Sequence, residues 1–404
     1  MPSTSNLRCG SGFSTDHRTS RAVGEAIEAA VRHLGGTPDL AIFACSSHHK
    51  SAAEDALRVL QEETGAPHMI GCVADHGVLT NASLDPSDPL CAVLLATLPG
   101  DARIEPFHLT ARTRGNATIT HNWPDGLWEP GDATVVMLAD PYSIPADRVV
   151  HRLGEVRPDV RVVGGLTGHD RAGSSTLFLD YGLADEGAVG VLLRGMSVEV
   201  RTVLGSVPIG PELVVTGADH NVLLELGGRS ASESLAAILG ALRPRELALA
   251  QRGVIAGIVV DENRADHDAT NYALRGVLSV DNDTGGLVIG DTPRVGQTIR
   301  FHVQDNRVAE SELARLIEDI GESGDAAGGL IFRCFKFKDT PLTRAPSWMP
   351  VVGLNCQGEI GTAGRTQSIV HGFTTTMAVL RASTPRGAAD EAVLAASVAV
   401  ARSR

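Results

Sequence analysis

A short apolar run ending on glycine occurs three times along this chain. Pro67-His68-Met69-Ile70-Gly71-Cys72 and Val160-Arg161-Val162-Val163-Gly164-Gly165 stand at corresponding points of two stretches in which helix and strand alternate. Pro350-Val351-Val352-Gly353 is the third. Alternation of this kind is the mark of an α/β layered fold, and the first two runs imply an internal duplication. Ligands of α/β sheets gather beyond the carboxyl ends of the strands. Each run is read as a strand entering a glycine turn, so three such turns build one pocket if they converge.

Periodicity fills in the rest. Val23, Ile27, Val31 and Leu34 recur at helical spacing, with Ser20 as the expected cap and Gly35-Gly36 as the stop. Leu40–Cys45, Met69–Gly71, Leu90–Leu98, Thr134–Leu138 and Val160–Gly164 read as strands, and Ala52–Thr64 and Ile144–Val156 as helices. After about residue 186 short strands joined by Gly/Pro turns favour an antiparallel sheet. Asn282-Asp283-Thr284-Gly285-Gly286, between Val277–Asp281 and Leu287–Ile289, is a hairpin signal. Val308–Gly321 is an amphipathic helix, Gly328–Phe337 a strand, and Val370–Leu380 the last strand. The fold class is therefore α/β: a duplicated α/β layered N-terminal domain plus an α+β C-terminal domain with a largely antiparallel sheet. The expected division is a mobile N-terminal segment (1–20), domains at 21–220 and 221–382 with a boundary near Asn221–Arg229, and an Ala-rich tail (383–404).

Charge and cysteine usage exclude several classes. A net charge of −13 argues against nucleic acid and against anionic membrane surfaces. Met1–Arg21 has no apolar core of a signal peptide, and the apolar run near Ala392–Ala401 is too short to span a bilayer. Six cysteines without framework spacing fit reduced thiols in a cytoplasm. There is no GxGxxG after the first strand, no P-loop and no GxSxG elbow.

The densest chemistry lies in Met349–Gly361 and just beyond. Gly353, Gly358, Gly361 and Gly364 accompany Asn355, Cys356, Glu359, Arg365 and His371. Glycine lets backbone N–H groups approach a ligand, and Glu359, Arg365 and His371 supply both signs of charge. Gly358-Glu359-Ile360-Gly361, Gly364-Arg365 and His371-Gly372-Phe373-Thr374 resemble the closing signature of the FIST family. Leu354 and Asn355 stand where that family usually carries aromatic residues. The resemblance runs from about Asp39 to Leu380 and takes in Gly71-Cys72, Gly164-Gly165, Pro208-Ile209-Gly210-Pro211 and Gly296–His302. It implies an intracellular sensory module that binds a small ligand such as an amino acid. Some relatives are fused to kinases or chemoreceptors and one eukaryotic branch belongs to F-box proteins; no such fusion is evident in these residues, so the resemblance implies a stand-alone sensor.

Each candidate has a plain structural alternative. Gly71, Gly164, Gly165 and Gly353, with Asp75, Thr167, Asp170, Asn355 and Glu359, form either a ligand pocket or a set of tight turns. Arg365 grips a ligand carboxylate or pairs with Glu359. His371 faces the pocket or the core. Asn271 and Arg275, at positions where the family often has an Asn and an Arg, reach the pocket from the second domain. Cys356 with His371 would make a nucleophile and base, but no orienting Asn or Asp is evident, and free Cys is more often a small buried residue. Cys72 is counted with the pocket. His68, Cys72 and His76, with Cys45, His48 and His49, are of the residue types that suit zinc, yet no standard ligand spacing occurs. The acidic cluster Asp261-Glu262-Asn263 with Asp266-His267-Asp268 reads as a solvated loop. The expectation is a cytoplasmic small-ligand sensor without cofactor, reporting to a downstream signalling protein. A Cys- or metal-dependent enzyme and a protein-interaction scaffold are the alternatives.

Overall fold

The structure, a computed structural model, describes residues 7–82, 84–85, 87–114, 117–168, 175–180, 182–264, 267–337, 346–364 and 367–382. Asp170, Arg365, Asp266 and the 383–404 tail lie outside the described residues. The first repeat comprises β1 (Arg8–Ser14), α1 (Thr19–Leu34), β2 (Leu40–Ser46), α2 (Ala53–Glu63), β3 (His68–Ala74), β4 (Val78–Thr80) and β5 (Cys91–Thr97). The second comprises β6 (Arg103–Arg114), β7 (Ala117–His121), β8 (Ala133–Ala139), α3 (Ala146–Val156), β9 (Val160–Leu166), β10 (Leu177–Leu179), β11 (Gly182–Ala184) and β12 (Ala188–Arg194).

The third repeat opens with β13 (Ser197–Val203) and is interrupted by an insertion. That insertion holds β14 (Ser206–Asp219), β15 (Val222–Leu226), β16 (Arg229–Ser230), α4 (Ala231–Gly240), α5 (Pro244–Ala250), β17 (Ile255–Val259), β18 (Tyr272–Asp281), β19 (Gly286–Ile289) and β20 (Thr298–Gln304). The repeat resumes with α6 (Asn306–Ser323), β21 (Ala326–Cys334), β22 (Val351–Cys356), β23 (Glu359–Ala363), β24 (Gln367–His371) and β25 (Thr375–Arg381).

The duplication is thus a triplication. Strand order β1-β5-β2-β3-β10 in the first sheet is matched by β6-β12-β8-β9-β23 in the second and β13-β25-β21-β22-β4 in the third. In each, the central pair is parallel (β2–β3, β8–β9, β21–β22) and the flanking pairs are antiparallel. The fifth strand never comes from the repeat it completes. β4 leaves the first repeat for the third sheet, β10 leaves the second for the first, and β23 leaves the third for the second. The three sheets meet in one apolar core that includes Ile70 and Cys72, Val163 and Val189, and Leu354 and Cys356. On their outer faces α1 and α2, α3, and α6 close three further cores.

The glycines read as turns lie inside strands. Gly71, Gly164 and Gly353 pair with Phe43, Met137 and Ile331 of the parallel neighbour. A Cβ on them would come within 2.5, 1.8 and 2.1 Å of that neighbour's carbonyl oxygen. Glycine is required there because the two backbones approach closely, and strands covered on both faces carry no polar alternation to reveal that they continue.

Within the N-terminal segment expected to be mobile over residues 1–20, Arg8–Ser14 form β1, which pairs with β5 along its length. A Cβ on Gly10 or Gly12 would stand 2.2 or 2.1 Å from a carbonyl oxygen of α1, so this strand carries glycine where α1 crosses it. The helix starts at Thr19, one residue before the expected cap, and turns its Ala30 rather than Val31 to the core. It ends at Gly35, left-handed at φ 63°, as expected.

The insertion is an antiparallel sheet that closes on itself, in the order β14-β20-β17-β18-β19-β15 with β15 returning to β14. The β18–β19 hairpin turns where the sequence indicates, with Gly285 at φ 70°. The segment read as one last strand is two: β24 and β25 are separated by Gly372-Phe373-Thr374.

Candidate functional site

The chain between β22 and β25 folds into a ribbon that crosses from the third repeat to the second. Gln357 N–H donates to the Leu166 carbonyl at 3.0 Å, and Leu166 N–H donates to the Gly358 carbonyl at 2.9 Å. Glu359 and Ile360 then pair with Gly165 and Gly164, and Glu359 stands opposite His371 on the β23–β24 ladder.

Glu359 is fully buried. Its Oε2 accepts from the Thr374 N–H at 3.1 Å and from the Thr374 hydroxyl at 2.8 Å, while Oε1 is buried without a hydrogen-bond partner. Burial pushes its carboxyl up to about 8, against the pull of Thr374 and of the Arg275 charge. The bonds from Thr374 pin the Gly372–Thr374 turn, in which Phe373 holds φ 62°, a left-handed conformation unfavourable for a bulky residue. His371 is equally buried. Its Nε2 donates to the Thr362 carbonyl at 3.2 Å, which leaves Nδ1 as the bare acceptor of a neutral ring. Burial, then the Arg275 charge, lowers it to about 3.

A cavity of about 370 Å³ opens beside this ribbon. Its walls come from both halves of the molecule: Pro145, Ala146 and Asp147 at the start of α3, Gln357 and Gly358, the His371–Phe373 turn, Leu274–Gly276 of β18, and Gly290–Thr292 after β19. Arg275 donates to Asp291 Oδ2 at 2.7 Å and to the Leu274 carbonyl at 3.0 Å. The cavity therefore presents a guanidinium, the carboxylates of Asp147 and Asp291, and the N-terminal turn of an eleven-residue helix. Helix N-termini favour negative groups. The arrangement suits a molecule carrying both signs of charge.

Of the candidates named from sequence, Arg275 and His371 line the cavity. Glu359 sits behind it, holding the turn that forms one wall. The others lie elsewhere. Gly165 faces the central core, where an added Cβ would stand 2.3 Å from Cys356 Sγ. Cys72 and Cys356 are sealed in that core, with burial pushing both thiols well up. Cys356 Sγ donates to its neighbour Leu354's carbonyl at 3.5 Å, and His371 is committed to Thr362, so no nucleophile–base pair forms.

Asn355 Oδ1 accepts from Arg333 at 3.1 Å and its Nδ2 donates to the His76 carbonyl at 3.1 Å, tying β22 to the turn before β4. Asp75 opens that turn and its charge helps raise Cys72. Asn271 closes the 261–271 loop, exchanging two side-chain bonds with the Asp261 backbone. Thr167 belongs to a buried network with Ser175 and Asp140. Among the described residues no three His, Cys, Asp or Glu side chains are placed to hold a metal ion. Cys45 and Cys72, both members of the Cys/His cluster suited to zinc by residue type, lie on opposite faces of their sheet. Sequence reasoning missed Asp291, Gly290, Thr292 and the start of α3. Only the Pro145-to-helix transition, a helix-start signal, pointed to any of them.

A two-part α/β body with a polar cavity walled by both parts is the class of protein that fold and site define. The chain belongs to the FIST family: the FIST N domain model matches residues 39–229 and the FIST C domain model residues 231–362. FIST domains are regarded as sensory, small-ligand-binding signalling domains. An uncharacterized protein of Mycobacterium tuberculosis (strain H37Rv) is 35% identical over 388 residues, covering 92% of this chain and 99% of that protein. One from Mycobacterium bovis is 33% identical over 389 residues, with 92% and 98% covered. Among the described residues no helix is long and apolar enough to cross a membrane.

Proposed function

We propose that this chain is a cytoplasmic sensor whose ligand, an amino acid or a metabolite of similar charge pattern, occupies the cavity between α3, the Gln357–Gly358 turn and the inserted barrel. The observation that carries this reading is the composition of the walls: both halves contribute, and both signs of charge face one space. Arg275 and the first turn of α3 receive the carboxylate, and Asp291 and Asp147 receive the ammonium. Glu359 keeps the His371–Phe373 wall in shape. Because the cavity lies between the parts, a bound ligand favours their closed arrangement, and a signalling partner reads the difference.

The test is native mass spectrometry of freshly purified protein, followed by calorimetric titration with a panel of amino acids. An organic adduct lost on denaturation, or saturable binding abolished in Arg275→Ala, supports the reading. A bare chain that binds no member of the panel overturns the amino-acid assignment.

A further inference from the structure

β2 and β5 run antiparallel with Cys45 directly opposite Cys91. The Ser46 N–H donates to the Leu90 carbonyl at 2.8 Å, which makes Ser46–Leu90 the hydrogen-bonded pair of the ladder. Cys45–Cys91 is therefore of the non-hydrogen-bonded kind, whose Cα atoms stand about 4.5 Å apart. That separation falls inside the range of roughly 4.4–6.8 Å that a disulfide spans. Both thiols are free, fully buried, and on the face covered by α1 and α2.

A third group faces them. His49, in the short turn Ser47–Ala52 that follows β2, is 0% exposed. Its Nδ1 meets the Thr19 hydroxyl at 3.0 Å at the start of α1. Its Nε2 is buried without a hydrogen-bond partner, and the His49 side chain interacts with the Cys91 thiol and favours its ionised form. The pair is asymmetric: interaction with Cys45 and then His49 lowers Cys91, whereas Cys45 is pushed up by Cys91 and by burial. Burial also pushes Cys9, Cys72, Cys334 and Cys356 up, so Cys91 alone of the six is drawn toward the thiolate.

Position supplies a route to it. Cys91 is the first residue of β5 and Cys45 is one residue from the end of β2. The Ser47–Ala52 turn, which carries His49, follows Cys45 directly and is the element whose local opening would admit a small oxidant at this end of the sheet, since short turns open at far lower cost than core strands.

We propose that Cys45 and Cys91 form a reversible oxidation site, converted by a hydroperoxide to a cross-strand disulfide with His49 as the base. His49 Nε2 takes the Cys91 proton. The thiolate attacks one peroxide oxygen, forming S–O as O–O breaks, and the departing oxygen leaves as alcohol or water after taking that proton. Cys45 sulfur then attacks Cys91 sulfur. S–S forms, S–O breaks, and the sulfenic oxygen leaves as water with the Cys45 proton. Two thiols are oxidised, one peroxide is reduced, and a small dithiol reverses the exchange.

The experiment treats the folded full chain with hydrogen peroxide, quenches with an alkylating agent, and reads intact mass and linked peptides. The expected product is a chain lighter by two hydrogens with Cys45 and Cys91 joined, restored by dithiothreitol. Cys45→Ser is expected to stop at a dimedone-reactive sulfenic acid on Cys91, and Cys91→Ser to give neither product. His49→Gln is expected to slow the reaction about 100-fold at neutral pH, as for loss of a general base, and less as pH rises and the thiol ionises unaided. Circular dichroism of each variant separates misfolding from lost chemistry. No change in mass, a link between other cysteines, or an unaltered rate in folded His49→Gln overturns the proposal.

Discussion

Glu359 and Thr374 are joined twice through one carboxylate oxygen, which accepts both the backbone N–H and the hydroxyl of the threonine. The residue between Thr374 and the glycine of the turn is Phe373, held at φ 62°. A left-handed conformation costs a side-chain-bearing residue about 1–2 kcal/mol. The Glu359 carboxyl offsets that cost and so fixes the wall that His371 and Phe373 give to the cavity.

Thr374→Val removes the hydroxyl bond and keeps the shape. Loss of about 1–2 kcal/mol is expected in urea denaturation, the usual effect of leaving a buried acceptor short of a partner. Ligand affinity is expected to fall with it, because the turn relaxes. Unchanged stability would mean that Oγ is not bonded to Glu359.

Stability is expected to depend on pH through the same carboxyl. Glu359 titrates near 8 in the folded chain and near 4.3 when unfolded. Between these values the unfolded state gives up the proton that the folded state keeps, so stability falls as pH rises, by at most about 1.4 kcal/mol per pH unit. Glu359→Gln removes this slope, and the gap between the two proteins should close or reverse from pH 5 to 8. His371 acts with the opposite sign: its folded value of about 3 lies below its ordinary 6.5, so it costs stability as pH falls through that window. Chemical denaturation from pH 4 to 9 measures both arms.

Gly165→Ala places a methyl group against Cys356 Sγ, 2.3 Å from an ideal Cβ. Overpacking of this kind costs about 1–3 kcal/mol. In the Cys356→Ala background the nearest atom of that residue is its Cβ at 3.4 Å, an ordinary contact. The double variant is expected to recover most of the loss, a coupling that a double-mutant cycle reads directly. Additive effects would show that the two repeats do not touch there.

Arg275→Ala is expected to weaken ligand binding roughly 10- to 100-fold, the worth of a charge-assisted bond of about 1.5–3 kcal/mol. Cys356→Ala is expected to leave affinity within about threefold, since the thiol lies in the central core away from the cavity. Titration calorimetry of the two variants separates a binding module from a thiol enzyme: retained turnover is not at issue in the first case and is lost in the second.

The alternation of elements was legible because helical periodicity and buried apolar runs state it directly, and the Asp281–Gly286 hairpin was legible because its turn demands particular residues. The errors share a cause. Gly10, Gly12, Gly71, Gly164 and Gly353 all mark places where one backbone approaches another, and in sequence that requirement looks the same as a turn. Phe373 failed in the other direction: an apolar residue within an apolar run carries no sign of a left-handed backbone, because Glu359 enforces it from fourteen positions upstream. The site was half legible. Arg275 and His371 stand out by residue type, whereas Asp291 and the first turn of α3 matter only because the insertion folds back onto the second repeat.

The cyclic loan of β4, β10 and β23 has a consequence for how the chain is made. As synthesis proceeds from the N-terminus, the first sheet waits for β10 and the second waits for β23, almost two hundred residues after β9 has left the ribosome. The second sheet therefore carries an open edge through much of translation, while β4 waits for β22 to arrive. A nascent chain stalled before Glu359 should be held by chaperones or aggregate, and release of the last few dozen residues should close the second and third sheets in one step.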